Sequence, residues 1–337
     1  MLSTARVTIR DVAKAAGVSV STISKVMNNR DGISEETQRR VRAVIEELGY
    51  VSSESARSLR AARTGVIGVL IPDFEPYASE VLKGIARALN GSPFELMAWS
   101  GGAGRDATRG WERQLVARLA GSVLDAAILV APSVTSLPFD SFPMVAVDPH
   151  EGPGYLPNVR ADDREGARLA VEHLADLGHV RIGFLGGRKD LASARERERG
   201  YRDAMRAHNL DVDEDLVVRG DYSRAGATEP ARTLLACADR PTAIFAANDL
   251  SALRVIEMAD ELGVDIPGEV SLVGFDDIPE SLRSEPGLTT IAQPMIDIGS
   301  EAALLLLQLM AQEEPPERDI KLPTRLVVRE STRVLRP

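Results

Sequence analysis

One cysteine in 337 residues, Cys237, excludes an internal disulfide framework and any metal cluster built from cysteines alone, and it fits a reducing compartment. Aromatic residues make up only 4% of the chain, so its cores are expected to be aliphatic. No apolar run reaches membrane-spanning length, and Arg6, Arg10, Asp11 and Lys14 interrupt the place where a secretory signal needs an apolar stretch. The expectation is a cytoplasmic protein with no membrane partner. Catalytic signatures are missing too: there is no GxSxG elbow, no Walker glycine loop and no HExxH. The glycines of 101–104 lack GxGxxG spacing and read as a loop. His150, His173, His179 and His208 are scattered, and none sits in a metal or nucleophile pattern. His179, after the helix-ending Gly178, reads as structural, and Cys237 as a small buried apolar residue. No enzymatic activity, cofactor or metal is expected.

What is present is ordinary for a soluble protein, 44% hydrophobic and 27% charged, and long enough for two or three domains. The net charge of -10 argues against a nucleic-acid ligand until its distribution is read. Residues 1–65 hold 11 Lys+Arg against 7 Asp+Glu, a local +4 that leaves -14 on the remainder. A small basic head on a large acidic body is an electrostatic footprint for DNA contact.

Residues 1–50 carry the motif beneath that footprint. Thr8 precedes Ile9, Val12 and Ala16, with Asp11 in the acidic position of a capping box, and Gly17 stops the helix. Ser19 can cap a second short helix that buries Ile23 and Val26. Ser34 can cap a third whose Val41, Val44, Ile45 and Leu48 share one face, closed by Gly49. Two short helices across a tight turn, then a longer supporting helix, are the layout of a helix-turn-helix unit. Val20, Ser21 and Lys25 point away from the apolar side of the second helix and are the base-reading candidates. Ser19, Thr22, Ser24, Asn28 and Arg30 suit phosphates, and Thr8 at the first helix start joins the DNA-contacting set. A generic three-helix module with a solvated polar face would use the same residues without DNA.

The stretch TIRDVAKAAGVSVSTISKVMNN, continued by SEETQRRVRAVIEELGY, resembles the DNA-binding head of the lactose-repressor/galactose-repressor (LacI/GalR) family. Many members place arginine where this chain has Lys25, which keeps a donor but loses the bidentate fork. Over 51–64, Ser52 or Ser53 can cap a short helix, SESARSLRAA, with Arg57, Arg60 and Arg63 along it. The resemblance implies a hinge helix that forms on operator DNA, wedging Leu59 into the minor groove beside Ala56. A flexible basic linker whose Leu59 touches the next domain is the alternative.

From residue 65 to 337, short apolar runs alternate with amphipathic helices. VIGVLI (66–71), FELMA (94–98), AAILV (126–130) and MVAV (144–147) precede IGFLG (182–186), AIFAA (243–247) and VSLVGF (270–275). Helices are expected around 78–89, 109–120, 163–177, 196–208 and 249–262. This is doubly wound α/β sequence twice over, and ligands bind outside the carboxyl ends of such strands. Asp73, Asp148, Asn248 and Asp276 stand at strand ends, with Arg197 to join them. Together they offer acceptors and a fork donor suited to vicinal hydroxyls. Asp163 and Asp249 read as helix caps. Phe74, Tyr77 and Tyr222 could lie on an apolar sugar face, and Phe74 could equally be core.

VRADDREGARLAVEHLADLGHVRIGFLGG, SARERERGYRDAM and AIFAANDLSALRVIEMADELGVDIPGEVSLVGFDDIP resemble the same family's sensor. The resemblance therefore covers nearly the whole chain. It implies a periplasmic-binding-protein-like sensor, with one subdomain at about 65–160 plus 292–323 and the other at about 161–291 plus 324–337. It matches Asp148, Arg197, Asn248 and Asp276 to effector-contacting positions, Tyr222 to an aromatic one, and Phe74 and Gln293 more faintly. Val159 stands where some members carry an aromatic. The tail carries no coiled-coil heptads, so a homodimer is expected. The implied function is a sequence-specific repressor of carbohydrate-utilisation genes on a near-palindromic operator, with a small sugar as effector. The alternatives are the same regulator with a purine or other effector, or a sugar-binding protein without a regulatory role. The family contains both induced and co-repressed members.

Overall fold

The computed structural model describes residues 9–27, 32–48, 64–101, 110–134 and 142–335, and the chain divides into two compact units, 1–64 and 65–337. In the first, α1 (Ile9–Ala16), α2 (Val20–Met27) and α3 (Glu35–Glu47) surround a small core of Val12, Ala13, Ala16, Ile23, Val26 and Val41. Gly17 adopts φ +67°, a left-handed turn that glycine enters without steric cost, and Val18 N–H closes it on the Ala13 carbonyl at 3.1 Å. The Ser19 hydroxyl accepts the Thr22 amide at 3.1 Å, and that of Ser34 accepts the Thr37 amide at 3.4 Å. Both caps fall where the sequence places them. The hinge expected over 51–64, and with it Ala56, Arg57 and Leu59, lies outside the described residues except for Thr64. So do Thr8, Asn28 and Arg30.

The second unit contains two six-stranded sheets. The first runs β11-β5-β4-β3-β1-β2 and is parallel throughout, from β1 (Val66–Ile71), β2 (Glu95–Ser100), β3 (Ala126–Val130), β4 (Met144–Val147), β5 (Asn158–Ala161) and β11 (Asp319–Leu322). The second runs β12-β10-β9-β8-β6-β7. Its strands are β6 (Ile182–Gly186), β7 (Val217–Arg219), β8 (Ala243–Ala246), β9 (Ser271–Asp276), β10 (Thr289–Ala292) and an antiparallel β12 (Arg325–Val327). The central strands are buried on both faces, as near-continuous apolar runs require.

Helices α4 (Pro76–Leu89) and α11 (Met295–Met310) pack on the first sheet and on each other. Their approach needs glycine on both sides. A Cβ on Gly84 would stand 2.0 Å from the Ile296 carbonyl oxygen, and one on Gly299 would stand 2.1 Å from that of Val81. Gly299→Ala is therefore expected to cost about 3 kcal/mol, since backbone rather than a mobile side chain must yield. Chemical denaturation measures it, and an unchanged midpoint would show that the two helices separate freely.

The cores differ in composition. That of the first sheet is aliphatic, built on Ile67, Val69, Ile71, Ile128, Val145 and Val147. In the second sheet the expectation of aliphatic cores holds on one face and fails on the other, where Phe184, Tyr201, Phe245 and Phe275 are buried together. Phe184 stacks on Tyr201 with ring centroids 5.0 Å apart, and Phe245 lies between Phe184 and Phe275. That cluster becomes the floor beneath a buried arginine.

Candidate functional site: a carboxylate-lined cleft and a helical head

The chain passes between the two sheets three times: from β5 into α6 (Asp163–Asp176), from β10 into α11, and from β11 into β12. Between the sheets lies a cavity of about 170 Å³, walled by strand-end residues of both. Four of the non-glycine residues with positive φ line it: Ala131 (46°), Asp148 (52°), Tyr222 (72°) and Asp276 (125°). Such backbone costs of order 1–3 kcal/mol per residue and persists where the surroundings impose it, as they do at binding sites.

Arg197 is the centre of this site. It projects from α7 (Ala192–Ala207) and is 3% exposed. Its Nε donates to Asp163 Oδ1 at 2.8 Å and its Nη1 to the Ala247 carbonyl at 2.5 Å, with Asp276 Oδ1 at 3.5 Å. The guanidinium lies 3.8 Å above the Phe275 ring centroid and 5.4 Å from that of Tyr222. Asp276 also accepts from Gln293 Nε2 at 2.6 Å, while Gln293 Oε1 is buried without a partner. Asp148 accepts from the Tyr77 hydroxyl at 3.2 Å. Asn248 donates Nδ2 to the Tyr222 carbonyl at 2.8 Å, and its Oδ1 accepts the Ser251 amide at 3.1 Å.

Burial raises the proton affinity of two of these carboxylates. Burial pushes the Asp148 carboxyl up to about 7, with Asp163 adding to the effect and Arg197 and Tyr77 opposing it. Burial likewise lifts Asp276 to about 6 against the pull of Arg197 and Gln293. At the mouth, Glu75 is raised by burial and then by Asp73 and Asp221. Several acids thus share one deeply buried base, and two buried polar atoms of the cavity, Gln293 Oε1 and the Tyr222 hydroxyl, have no hydrogen-bond partner.

The structure brings Asp73, Tyr77, Asp148, Arg197, Tyr222, Asn248, Asp276 and Gln293 to this one cavity. Phe74 is not with them. At 62% exposed it is neither cleft wall nor core, because the chain turns outward between the end of β1 and Pro76 of α4. Asp73 is engaged locally, its Oδ1 accepting the Glu75 amide at 3.0 Å. Val159 is fully buried within β5 and lines no part of the cavity.

The capping roles read for Asp163 and Asp249 are each one residue off. Asp162 caps α6 and Asn248 caps α9 (Asp249–Leu262), since a cap must sit in non-helical backbone just before the first turn. Asp163 is thereby free to pair with Arg197. Asp249, fully buried, accepts the Ile278 amide and the Thr290 hydroxyl and ties the end of β9 in place. Cys237 is half-buried at the end of α8 (Thr228–Ala236) rather than buried, with its thiol on the Leu234 carbonyl. His179 is structural, bridging Thr242 and Ser271.

Several contributors escape the sequence reading, Glu75 among them. Ser193 lies four residues before Arg197, one turn along the same face of α7. His150 follows Asp148 on the same loop. Gly187 admits the Tyr222 ring, which a Cβ there would meet at 2.6 Å. The helical spacing from Ser193 to Arg197 is the one signal that could have found any of them.

In the head, Val20, Ser21 and Lys25 are exposed along α2, with Val20 at 40%. Thr22 and Ser24 are half-buried. Ser19 joins its hydroxyl to those of Ser21 (2.7 Å) and Thr22 (2.8 Å), so the start of α2 is a linked polar edge.

Comparison with known proteins follows the same division. Residues 8–53 match the family described as bacterial regulatory proteins, lacI family, and residues 171–332 match the periplasmic binding protein-like domain. Catabolite control protein A of Priestia megaterium is 32% identical over 97% of this chain and 99% of its own. The HTH-type transcriptional repressor PurR of Photobacterium profundum is 30% identical over the same shares. Among solved structures, a complex of the transcriptional regulator CelR with cellobiose superposes with a TM-score of 0.72 at 31% identity, over 97% of this chain and all of that one. A lac repressor dimer bound to operator and the anti-inducer ONPF gives 0.82 at 27% identity, over 98% and 100%. Among the described residues no group of His, Cys, Asp or Glu could hold a metal ion, and no described helix is long and apolar enough to cross a membrane.

Proposed function

The chain belongs to the lacI family of bacterial regulatory proteins, and from that premise we propose that it is a cytoplasmic repressor of carbohydrate-utilisation genes whose operator affinity is set by a sugar held in the cleft. As a member of this family it is a DNA-binding regulator and not an enzyme. Members bind operator DNA as homodimers and answer to small-molecule effectors. Two heads related by a two-fold axis read the halves of a near-palindrome, and closure of the cleft changes how the heads are presented.

The observation that carries the sugar reading is the group of acceptors gathered around Arg197. Asp148, Asp276 and the unpartnered Gln293 oxygen seek donors, and a polyol supplies hydroxyls that donate to them while accepting from Arg197. A purine would need a stacking platform. Of the two tyrosine rings in the cleft, Tyr77 is held through its hydroxyl on Asp148, and Tyr222 lies beside the Arg197 guanidinium. A thermal-shift panel of neutral sugars and purines, followed by operator binding with each hit, tests the assignment. Stabilisation by a purine alone would overturn it.

On the DNA side, Lys25, Val20 and Ser21 of α2 are the proposed base readers. Lys25→Ala is expected to lose about 1–3 kcal/mol on the cognate operator and to relax discrimination at one base pair. Equal losses on matched and mismatched duplexes would instead make Lys25 a phosphate contact.

A further inference from the structure

A second cavity, of about 500 Å³, adjoins the first and shares Asp148 and Ser193 with it as walls. It lies where the chain crosses between the sheets, bounded by the loop after β4, the starts of α6 and α7, and Lys321 of β11. The first cavity alone, at about 170 Å³, is below the roughly 300–1,000 Å³ that encloses a drug-sized ligand, and it suits a single sugar ring. The second falls within that range.

Its lining is charged yet balanced. Lys321 is paired with Asp162 at 2.7 Å, and Arg160 binds Asp319 through two hydrogen bonds of 3.0 Å. Arg199 is paired with Glu196 at 2.5 Å. Arg195 differs: its Nη1 donates only to the backbone carbonyls of Lys189 (3.0 Å) and Asp190 (2.8 Å). α7 begins at this wall without a side-chain cap; its Ala192 amide donates to the His150 carbonyl at 2.8 Å, and the Ser193 hydroxyl stands beside it. A compartment of mutually paired ions has little pull on a charged ligand. It does present fork donors and carboxylate acceptors side by side, the complement of a neutral ring of hydroxyls.

Resting on the sugar reading above, we propose that the effector is an oligosaccharide of at least two units. One ring sits against Arg197, Asp148 and Asp276, and the next sits against Arg195 in the second cavity. The glycosidic link passes the shared wall at Asp148 and Ser193.

Isothermal titration of the full chain with D-glucose, D-xylose and D-galactose, and with cellobiose, maltose, xylobiose and β-1,4-galactobiose, tests this. At least one disaccharide should bind tenfold or more tightly than its own monosaccharide. Arg195→Ala should remove most of that advantage and leave the monosaccharide dissociation constant within twofold. Arg199→Ala, on an exposed side chain, should weaken the disaccharide in the same selective way and serves if Arg195→Ala does not fold. A monosaccharide bound as tightly as every disaccharide would overturn the proposal while the sugar reading stands, as would equal losses for both ligands in the two variants. Binding of none of these saccharides would remove both readings together.

Discussion

Asp276→Ala is expected to abolish the rise in melting temperature that the effector produces, while the unliganded protein still folds. The carboxylate sits at the end of β9 with φ 125°, 6% exposed, gripped by Gln293 and faced by Arg197. A hydrogen bond to an ionised group contributes about 1.5–3 kcal/mol, so losing even one to the ligand weakens binding tenfold or more. The readout on DNA separates the two modes of regulation. If the effector releases the operator, the variant stays bound at effector concentrations that free the parent protein. If the effector is a co-repressor, the variant fails to bind the operator at any accessible concentration. Both outcomes follow from coupling, because an allosteric free energy between two sites vanishes when one ligand cannot bind. Normal effector affinity with normal coupling would leave Asp276 as a structural carboxylate serving Gln293, and the polar-clamp assignment would be withdrawn.

The helical head was legible because its signals are local. Ser19 and Ser34 cap the helices they precede, and Gly17 ends the first with a positive φ. α9 was equally plain, its 249–262 span set by a strand-end Asn248 before it and a left-handed Gly263 after it. Elements that depend on tertiary pairing were less visible. β10 reads Thr-Thr-Ile-Ala, and its two threonines are fully buried only because the Thr290 hydroxyl donates to Asp249 and that of Thr289 accepts the Arg329 amide, partners from elsewhere in the fold. β7 has three residues and takes its conformation from β6. α11 is apolar around most of its circumference, LLLLQLM, and periodicity cannot separate such a run from a buried strand.

The site divides on the same line. Strand-end residues such as Asp148, Asn248 and Asp276 announce themselves, because topology alone sends them to one crevice. Which neighbour engages which carboxylate is not topological. Asp162 and Asp163 are identical in type and adjacent, yet one caps α6 while the other is ion-paired with Arg197. A one-residue helical rotation of about 100° decides between them. Phe74 stands one residue from Asp73, but the turn into α4 carries it out to solvent.

The largest stability effect is expected at Arg197. Replacing it with methionine keeps an unbranched stem but removes the guanidinium that lies over Phe275, leaving Asp163, Asp276 and Asp148 around a neutral side chain. Removing one partner of a buried charge network typically costs about 3–5 kcal/mol, because the remaining charges stay desolvated and uncompensated. The pH dependence identifies the cause. Asp148 and Asp276 already titrate at about 7 and about 6 when folded, above the usual carboxylate value of the unfolded chain. Between those limits the folded state holds more protons, so these groups lower stability as pH rises. Without Arg197 both carboxyls move higher still. The penalty of the variant relative to the parent should therefore be greatest near pH 8 and shrink toward pH 5, where protonation removes the repulsion. His173 and His179, held below their ordinary values by burial, contribute an opposing slope near neutrality, which cancels in that difference. Denaturation midpoints of both proteins at pH 5 and pH 8 measure it. A loss of the same size at both pH values would mean that Arg197 acts through packing on Phe275 and Tyr222, and that the cleft carboxylates do not depend on its charge.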